Sequence, residues 1–185
     1  MVDVIIPAYN AHNTIEDTLQ SLALQVSKDF MTVTIVNDNG DNYADIVKKF
    51  KGRLNVKELH KRVNGGAGQA RQYGIDHTSN PFIVFVDADD VLPDIFTIHQ
   101  QFDLMMREQD CVMASGNFLE ETPNGTYVAK THDTTWLHGK MYRRSHIQKH
   151  HIHFSDLRLC EDVEFNMRVK LYASGEEHIK FMTDK

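Results

Sequence analysis

Phe82-Ile83-Val84-Phe85-Val86-Asp87-Ala88-Asp89-Asp90 sets an unbroken apolar run directly against a cluster of carboxylates. The run has the length and composition of a buried strand. Carboxylates gathered at the end of such a strand must be met by something positive, because unpaired charge is costly to take out of water. Oxygen ligands of this kind suit Mg²⁺ or Mn²⁺, ions that commonly bridge to phosphates of a bound molecule. An Asp-x-Asp alone carries little weight. Its neighbours along the chain decide its meaning.

Working outward, strand and helix signals alternate on both sides of this run. Val2–Ile6 is a short apolar strand, and Asn13-Thr14-Ile15-Glu16 has the spacing of a capping box, Asn13 at the cap and Glu16 three residues on. Ile15, Leu19 and Leu22 then share one helical face. Met31–Val36 reads as a second strand, closed by the turn-rich Asn37-Asp38-Asn39-Gly40. A short helix over Tyr43–Phe50 and a strand over Leu54–Leu59 follow, and Gly65-Gly66-Ala67-Gly68 opens a helix to about His77. Pro93 is expected to start the next helix, with Ile95, Ile98, Phe102 and Met105 facing the core. Strands alternating with helices argue for a mainly parallel sheet covered on both faces.

After Cys111 the rhythm changes. Cys111–Glu120 and Thr126–Lys130 read as a hairpin about Pro123-Asn124-Gly125. His132–Gly139 is a polar loop, as is the histidine-rich stretch holding His146, His150, His151 and His153. The last helix, about Asp162 to Tyr172, is expected to bury Val163, Met167 and Leu171, and Met105 and Met106 read as core filler. The reading is one domain over residues 1–185, with a nucleotide-binding half at 1–110 and an acceptor and catalytic-base half at 111–185.

Composition narrows the function. The 185 residues carry a net charge of −6, which argues against a general nucleic-acid or anionic-membrane binder. No apolar run approaches the ~20 residues of a membrane span. Val2-Asp3-Val4-Ile5-Ile6 lacks the basic flank and cleavage pattern of a signal peptide. Cys111 and Cys160 form neither a disulfide framework nor a zinc pattern, so a reducing cytoplasm is the plain expectation.

In an open α/β sheet ligands bind beyond the carboxyl ends of the strands. Four segments lie at such ends: Pro7-Ala8-Tyr9-Asn10, Asn37–Asp41, His60–Gly68 and Asp87–Asp90. Together with Asn64-Gly65-Gly66-Ala67-Gly68-Gln69-Ala70-Arg71 and the late Glu161-Asp162-Val163-Glu164-Phe165, they occur in the order and spacing of family 2 glycosyltransferases, inverting enzymes of the GT-A fold. The resemblance runs from Val4 to Phe165, nearly the whole chain. It implies a Rossmann-like α/β sheet with a smaller acceptor-side part, and transfer of a sugar from a nucleotide diphosphate donor, UDP-linked, to an acceptor hydroxyl.

The site residues follow by the same resemblance. Pro7, Ala8, Tyr9 and Asn10 match the first nucleotide loop. Asp38 matches the acid that hydrogen-bonds the uracil or its ribose, although the family's two adjacent acids and Gly-Ser are replaced here by Asn37-Asp38-Asn39-Gly40. Asn64, Gly66 and Arg71 match the loop and helix closing on the nucleotide, where an arginine fork suits phosphate oxygens. Asp87 and Ala88 match the nucleotide side of the Asp-x-Asp. Asp89, with Asp87 assisting, matches the metal ligand for Mn²⁺ or Mg²⁺. In an extended segment, side chains at i and i+2 share a face.

Asp162 matches the general base, and Glu161 its neighbour toward the acceptor. Trp136 lies where an aromatic residue could floor a sugar, or could equally pack in the core. His178 is a candidate late metal ligand, and Asp90 a turn cap. The chain lacks the Gln-x-x-Arg-Trp motif of processive synthases, which implies single addition, and it stops soon after the base helix, short for the family. A nucleotide-sugar binding module without turnover and a sugar nucleotidyltransferase are the alternatives. The latter is expected to carry a Gly-rich phosphate loop where Pro7-Ala8-Tyr9-Asn10 stands.

Overall fold

Seven strands make one sheet in the order β3-β2-β1-β4-β8-β5-β9, in a computed structural model that describes residues 1–182. In chain order the elements are β1 (Val2–Ala8), α1 (Ile15–Ala23), β2 (Met31–Asn37), α2 (Ala44–Phe50), β3 (Val56–His60), α3 (Ala67–Asp76), β4 (Phe82–Phe85) and α4 (Thr97–Arg107). Then come β5 (Met113–Ser115), β6 (Phe118–Glu121), β7 (Tyr127–Lys130), β8 (Lys140–Arg143), α5 (Arg144–Lys149), α6 (Glu161–Tyr172) and β9 (Ile179–Phe181). β1 pairs in parallel with β2 and β4, and β2 with β3. β8 runs antiparallel between β4 and β5. This inserted strand lays the second half of the chain against the carboxyl end of β4.

Alternation along β1 builds two cores. Val2, Val4, Ile6 and Ala8 face α1, α2 and α4, while Ile5 faces the layer of α3, α5 and α6, as a period of two demands. α3 lies close on the strands because residue 74 is glycine. A Cβ there would collide with Ile5 and come within 3.2 Å of Val36 Cγ2. Pro7 lies where the β1–β4 ladder stops: the register ends at Ile5 and Phe85, and the last bond runs from Val86 N to the Ile5 carbonyl at 3.2 Å, as a residue without an N–H requires.

Several expected boundaries and faces differ. The strand expected over Cys111–Glu120 is two strands, interrupted at residues 116–117, and β6 and β7 form the expected hairpin. α1 is capped by Thr14, not Asn13, without a side-chain cap bond, and Glu16 instead pairs with Lys49 at 2.7 Å. α4 starts at Thr97, not Pro93. Asp94 holds the turn before it by accepting from Phe96 N at 2.6 Å, and Ile95 and Met106 are exposed. α6 turns a different face inward: Phe165, Asn166 and Val169 are buried, whereas Met167 and Leu171 are 61% and 74% exposed. Asn166 decides this. Its amide donates to the Thr135 and Trp136 carbonyls and its oxygen accepts from Tyr142 Oη at 2.6 Å, so a satisfied polar group sits in the core. His146, expected in a loop, lies buried on α5 and contacts the Val169 carbonyl through Nε2.

Candidate active site

The carboxyl ends of β1, β2 and β4 and the start of α3 surround one cleft of about 620 Å³. Pro7, Ala8, Tyr9, Asn10, Asp38, Asn64, Gly66, Arg71, Asp87, Ala88 and Asp89 all line it. The sequence-expected nucleotide set therefore converges. Pro7 and Ala8 belong to β1 itself rather than to the loop beyond it. Asn10 is left-handed at φ 52°, and the Tyr9 ring is exposed at the cleft.

Asp38 is not a free reader of a base in this state. It is 2% exposed, and its carboxylate accepts from Lys61 Nζ at 2.5 Å and from the backbone N–H groups of Gly65 and Gly66, at 2.7 Å for Gly66. It fastens the β2 loop to the β3–α3 loop. Gly66 (φ +84°) supplies the left-handed backbone this wrap needs. Asn37 builds the turn: Oδ1 accepts from Gly40 N at 2.9 Å, and Nδ2 donates to the Asp41 carbonyl and to Glu58. Asp38→Ala is expected to free the loop. Losing hydrogen bonds to a charged acceptor costs on the order of 2 kcal/mol, so amide exchange at Gly65 and Gly66 should accelerate by about tenfold or more. Unchanged protection at those two amides would rule the fastening out.

Arg71 is 5% exposed. Nη2 meets Asp87 Oδ1 at 2.6 Å, and Nη1 meets Glu161 Oε1 at 3.0 Å. Burial disfavours its charge, but Asp87 and Glu161 outweigh that and raise its pKa. Arg71 thus clamps the Asp-x-Asp to the start of α6, with both terminal nitrogens engaged by carboxylates. Gly68 makes the clamp possible: a Cβ there would lie 2.7 Å from Glu161 Cγ. Arg158, which the sequence reading missed, lines the same cleft. It lies in an irregular segment with no motif to mark it.

The strand-end acids do not follow the expected extended geometry. β4 stops at Phe85, and Asp90 N donates to the Asp87 carbonyl at 3.1 Å. That turn brings i and i+3 together, not i and i+2. Asp87 and Asp90 meet His138, whose Nε2 lies 3.6 Å from Asp87 Oδ2 and 3.2 Å from Asp90 Oδ2. Asp89 is exposed and lines the cleft outside this group. Hydrogen bonds to Asp87 and Asp90 outweigh burial and push His138 up to about 10. Burial would raise Asp87, but His138 and Arg71 hold it well below the usual carboxylate range.

Loop 132–139 presents His138 and Trp136. Asp133 Oδ1 accepts from Thr135 N, Trp136 N and Lys140 Nζ, the last at 3.2 Å. Lys140 is fully buried, and burial lowers its pKa despite Asp133. Trp136 is 42% exposed and so is not packed in the core. Asp162 opens α6 half-buried, with Oδ1 accepting from Val163 N at 2.8 Å. His178 lies at the opposite sheet edge, its Nδ1 3.0 Å from the Asp110 carbonyl, where it meets none of the strand-end acids. That removes it as a metal ligand.

The chain matches the model described as glycosyl transferase family 2 over residues 3–157. It is 30% identical to the poly(ribitol-phosphate) beta-N-acetylglucosaminyltransferase TarS of Staphylococcus aureus (strain Mu50 / ATCC 700699), across 98% of this chain and 34% of that protein. It is 27% identical to the putative glycosyltransferase EpsH of Bacillus subtilis (strain 168), across 97% of this chain and 58% of that one. The chain thus spans between a third and three fifths of these relatives' length. The crystal structure of S. aureus TarS 1-349 in complex with UDP-GlcNAc matches with a TM-score of 0.84 at 25% identity, covering 100% of this chain and 56% of that one. Mannosyltransferase PcManGT from Pyrobaculum calidifontis, in complex with GDP-Man and Mn²⁺, shares the fold with a TM-score of 0.74 at 16% identity, covering 98% of this chain and 56% of that one. The sheet and its helical layers are those of the GT-A fold. With the family model covering most of the chain and the ordered strand-end motifs gathered in one cleft, the chain belongs to glycosyl transferase family 2.

Proposed function

We propose that this chain is the catalytic domain of a metal-dependent, inverting glycosyltransferase that moves a sugar from a UDP-linked donor to an acceptor hydroxyl, one addition at a time. The observation that carries this reading is the strand-end cleft, which collects the whole expected nucleotide set. The binding of UDP-GlcNAc by TarS, a relative of like fold, supports a uridine donor. The acidic turn Asp87–Asp90 fits a hard divalent cation, whose bound charge would offset the charge gathering on the departing diphosphate. Mn²⁺ and Mg²⁺ both suit such oxygens.

The protein's own groups do the rest. Tyr9 and Asn10 flank the base, and the β3–α3 loop closes over it. Arg158 is the cleft cation left for the diphosphate, since Arg71 is engaged by Asp87 and Glu161. Asp162 takes the acceptor proton as the acceptor oxygen bonds to the anomeric carbon and the carbon–oxygen bond to the diphosphate breaks from the opposite face. No carboxylate nucleophile is needed for this direct displacement.

Uridine diphosphate is expected to raise the melting temperature only when Mn²⁺ or Mg²⁺ is present. A ligand at 100 times its Kd stabilises by about 2.7 kcal/mol. Without the ion, the carboxylates of residues 87–90 repel the diphosphate. Equal shifts with and without metal would sink the metal dependence. Larger shifts with guanosine or adenosine diphosphate would sink the uridine donor.

A further inference from the structure

We propose that the groove between α4 and the β6–β7 hairpin holds the acceptor, and that the acceptor is a neutral oligosaccharide extending beyond the reacting sugar. This rests on the nucleotide-sugar reading above and names the acceptor class within it. The groove has a volume of about 780 Å³, within the ~300–1,000 Å³ of sites that enclose small molecules.

The groove begins at the acid turn. Phe118 lines it, and the Phe118 ring lies 5.2 Å from the imidazole of His138, whose Nε2 is 3.2 Å from Asp90 Oδ2. Pro93 and Asp94 also line it, and they follow the acid turn closely in the chain. An acceptor whose reacting hydroxyl meets the donor at that turn can lay the rest of its length along α4.

The lining has the two-sided chemistry of a sugar. Leu119 and Ala129 are direct partners across the hairpin and so share one face. Both line the groove, and Leu119 is 59% exposed. Tyr127 continues that face toward the hairpin tip, 64% exposed. Together they offer apolar surface to the C–H faces of a pyranose ring. Gln100 on α4 and Thr131 just past β7 add an amide and a hydroxyl. Both are exposed, and their side chains make no hydrogen bond among the described residues. A wholly apolar occupant would strand these groups away from water. The charged residues of the lining are Asp94, Asp103 and Arg107, so the groove lacks the row of cations that suits a phosphodiester or uronate chain. Lys28, Lys48, Lys51 and Arg53 gather instead in a separate depression beside α2 and β3.

The groove is formed in advance. The Gly139 carbonyl accepts from Gln101 Nε2 at 2.6 Å and from Gly116 N at 2.7 Å, which ties α4, the link between β5 and β6, and the start of β8 together. Met182 N donates to the Ser115 carbonyl at 2.8 Å and brings Met182 to the groove wall. A site on elements so joined spends little on ordering when it binds.

The test is a titration of isotope-labelled protein followed by its amide chemical shifts, with and without saturating uridine diphosphate and Mn²⁺. The probes are neutral gluco-, galacto- and N-acetylglucosamine oligosaccharides from mono- to tetrasaccharide, with polyglycerol phosphate as the polyanion. A neutral series is expected to shift the amides of Asn117, Leu119, Ala129 and Thr131 and to bind more tightly as it lengthens. Leu119→Ala and Gln100→Ala are each checked for native melting. Leu119→Ala should weaken tetrasaccharide binding by about tenfold, the scale of one aliphatic side chain buried by a ligand, and Gln100→Ala by several-fold, with uridine diphosphate affinity near wild type in both. Equal affinity for mono- and tetrasaccharide, wild-type glycan affinity in both variants, or polyglycerol phosphate held at these amides more tightly than every neutral glycan overturns the proposal. Uridine diphosphate binding with groove amides that no neutral glycan shifts overturns the groove and leaves the donor reading standing. Glycan binding in the groove without uridine diphosphate binding overturns the donor reading and leaves the groove.

Discussion

Asp162→Asn is expected to keep donor binding and lose transfer by roughly 10²- to 10⁴-fold, the usual cost of removing a general base. The substitution is nearly isosteric, and an amide oxygen can still accept from Val163 N as the Asp162 Oδ1 does at 2.8 Å. The start of α6 should therefore fold unchanged, and the second oxygen is the one that matters for the proton. Glu161 is the natural rival, but its Oε1 is held by Arg71 at 3.0 Å, which ties it to positioning. Glu164 is bound by Ser155 and by Arg168 at 2.6 Å. Donor contacts come from the strand-end cleft, so uridine diphosphate affinity should remain near wild type. A screen of simple sugars supplies an acceptor, and initial rates with saturating donor give the comparison. Transfer by the Asn variant at close to the wild-type rate would move the base to one of those two glutamates.

The cleft was legible because its parts are local. β4 is a continuous apolar run, and β1 and β2 are apolar but for Asp3, two threonines and the closing Asn37, as expected of strands buried on both faces, and each is followed at once by its polar or glycine-rich loop. What escaped depends on tertiary geometry. The extended pairing of Asp87 with Asp89 failed because the strand ends at Phe85, one residue short of Val86, and the chain turns, bringing Asp90 to Asp87 instead. No sequence spacing links either to His138. Only the antiparallel placement of β8 does that. The inward face of α6 was misread for a related reason. Val163, Met167 and Leu171 carry a helical period, but so do Phe165 and Val169, and the choice between the faces is made by Asn166, whose partners lie on β8 and the loop before it. Hydrophobic periodicity has no means of registering a buried amide whose hydrogen bonds are all satisfied.

Asp3→Ala is expected to destabilise the fold by about 3–5 kcal/mol, the cost of stripping one partner from a buried ion pair. Asp3 is 2% exposed in β1, and its carboxylate accepts from Arg144 Nη2 at 2.8 Å, Asn80 N at 2.7 Å and Asn80 Nδ2 at 2.8 Å. Arg144 also donates to the carbonyls of Asn80 and Ile75 and to Thr78 Oγ1. One network thus joins β1, the segment before β4 and the start of α5. Burial already lowers the Arg144 pKa even with Asp3 beside it, and without Asp3 the guanidinium is left buried with neutral partners alone. The contrast is Glu16→Ala, which removes a pair of similar length, 2.7 Å, between side chains about half exposed and worth at most ~1 kcal/mol. At roughly 2–4 °C per kcal/mol for a domain of this size, Asp3→Ala should melt about 6–20 °C lower, and Glu16→Ala only a few degrees lower. The network lies at the amino ends of the strands, away from the cleft, so the folded variant should bind uridine diphosphate as wild type does. A melting temperature for Asp3→Ala no lower than that of Glu16→Ala would show that the neutral partners of Arg144 suffice to hold its charge.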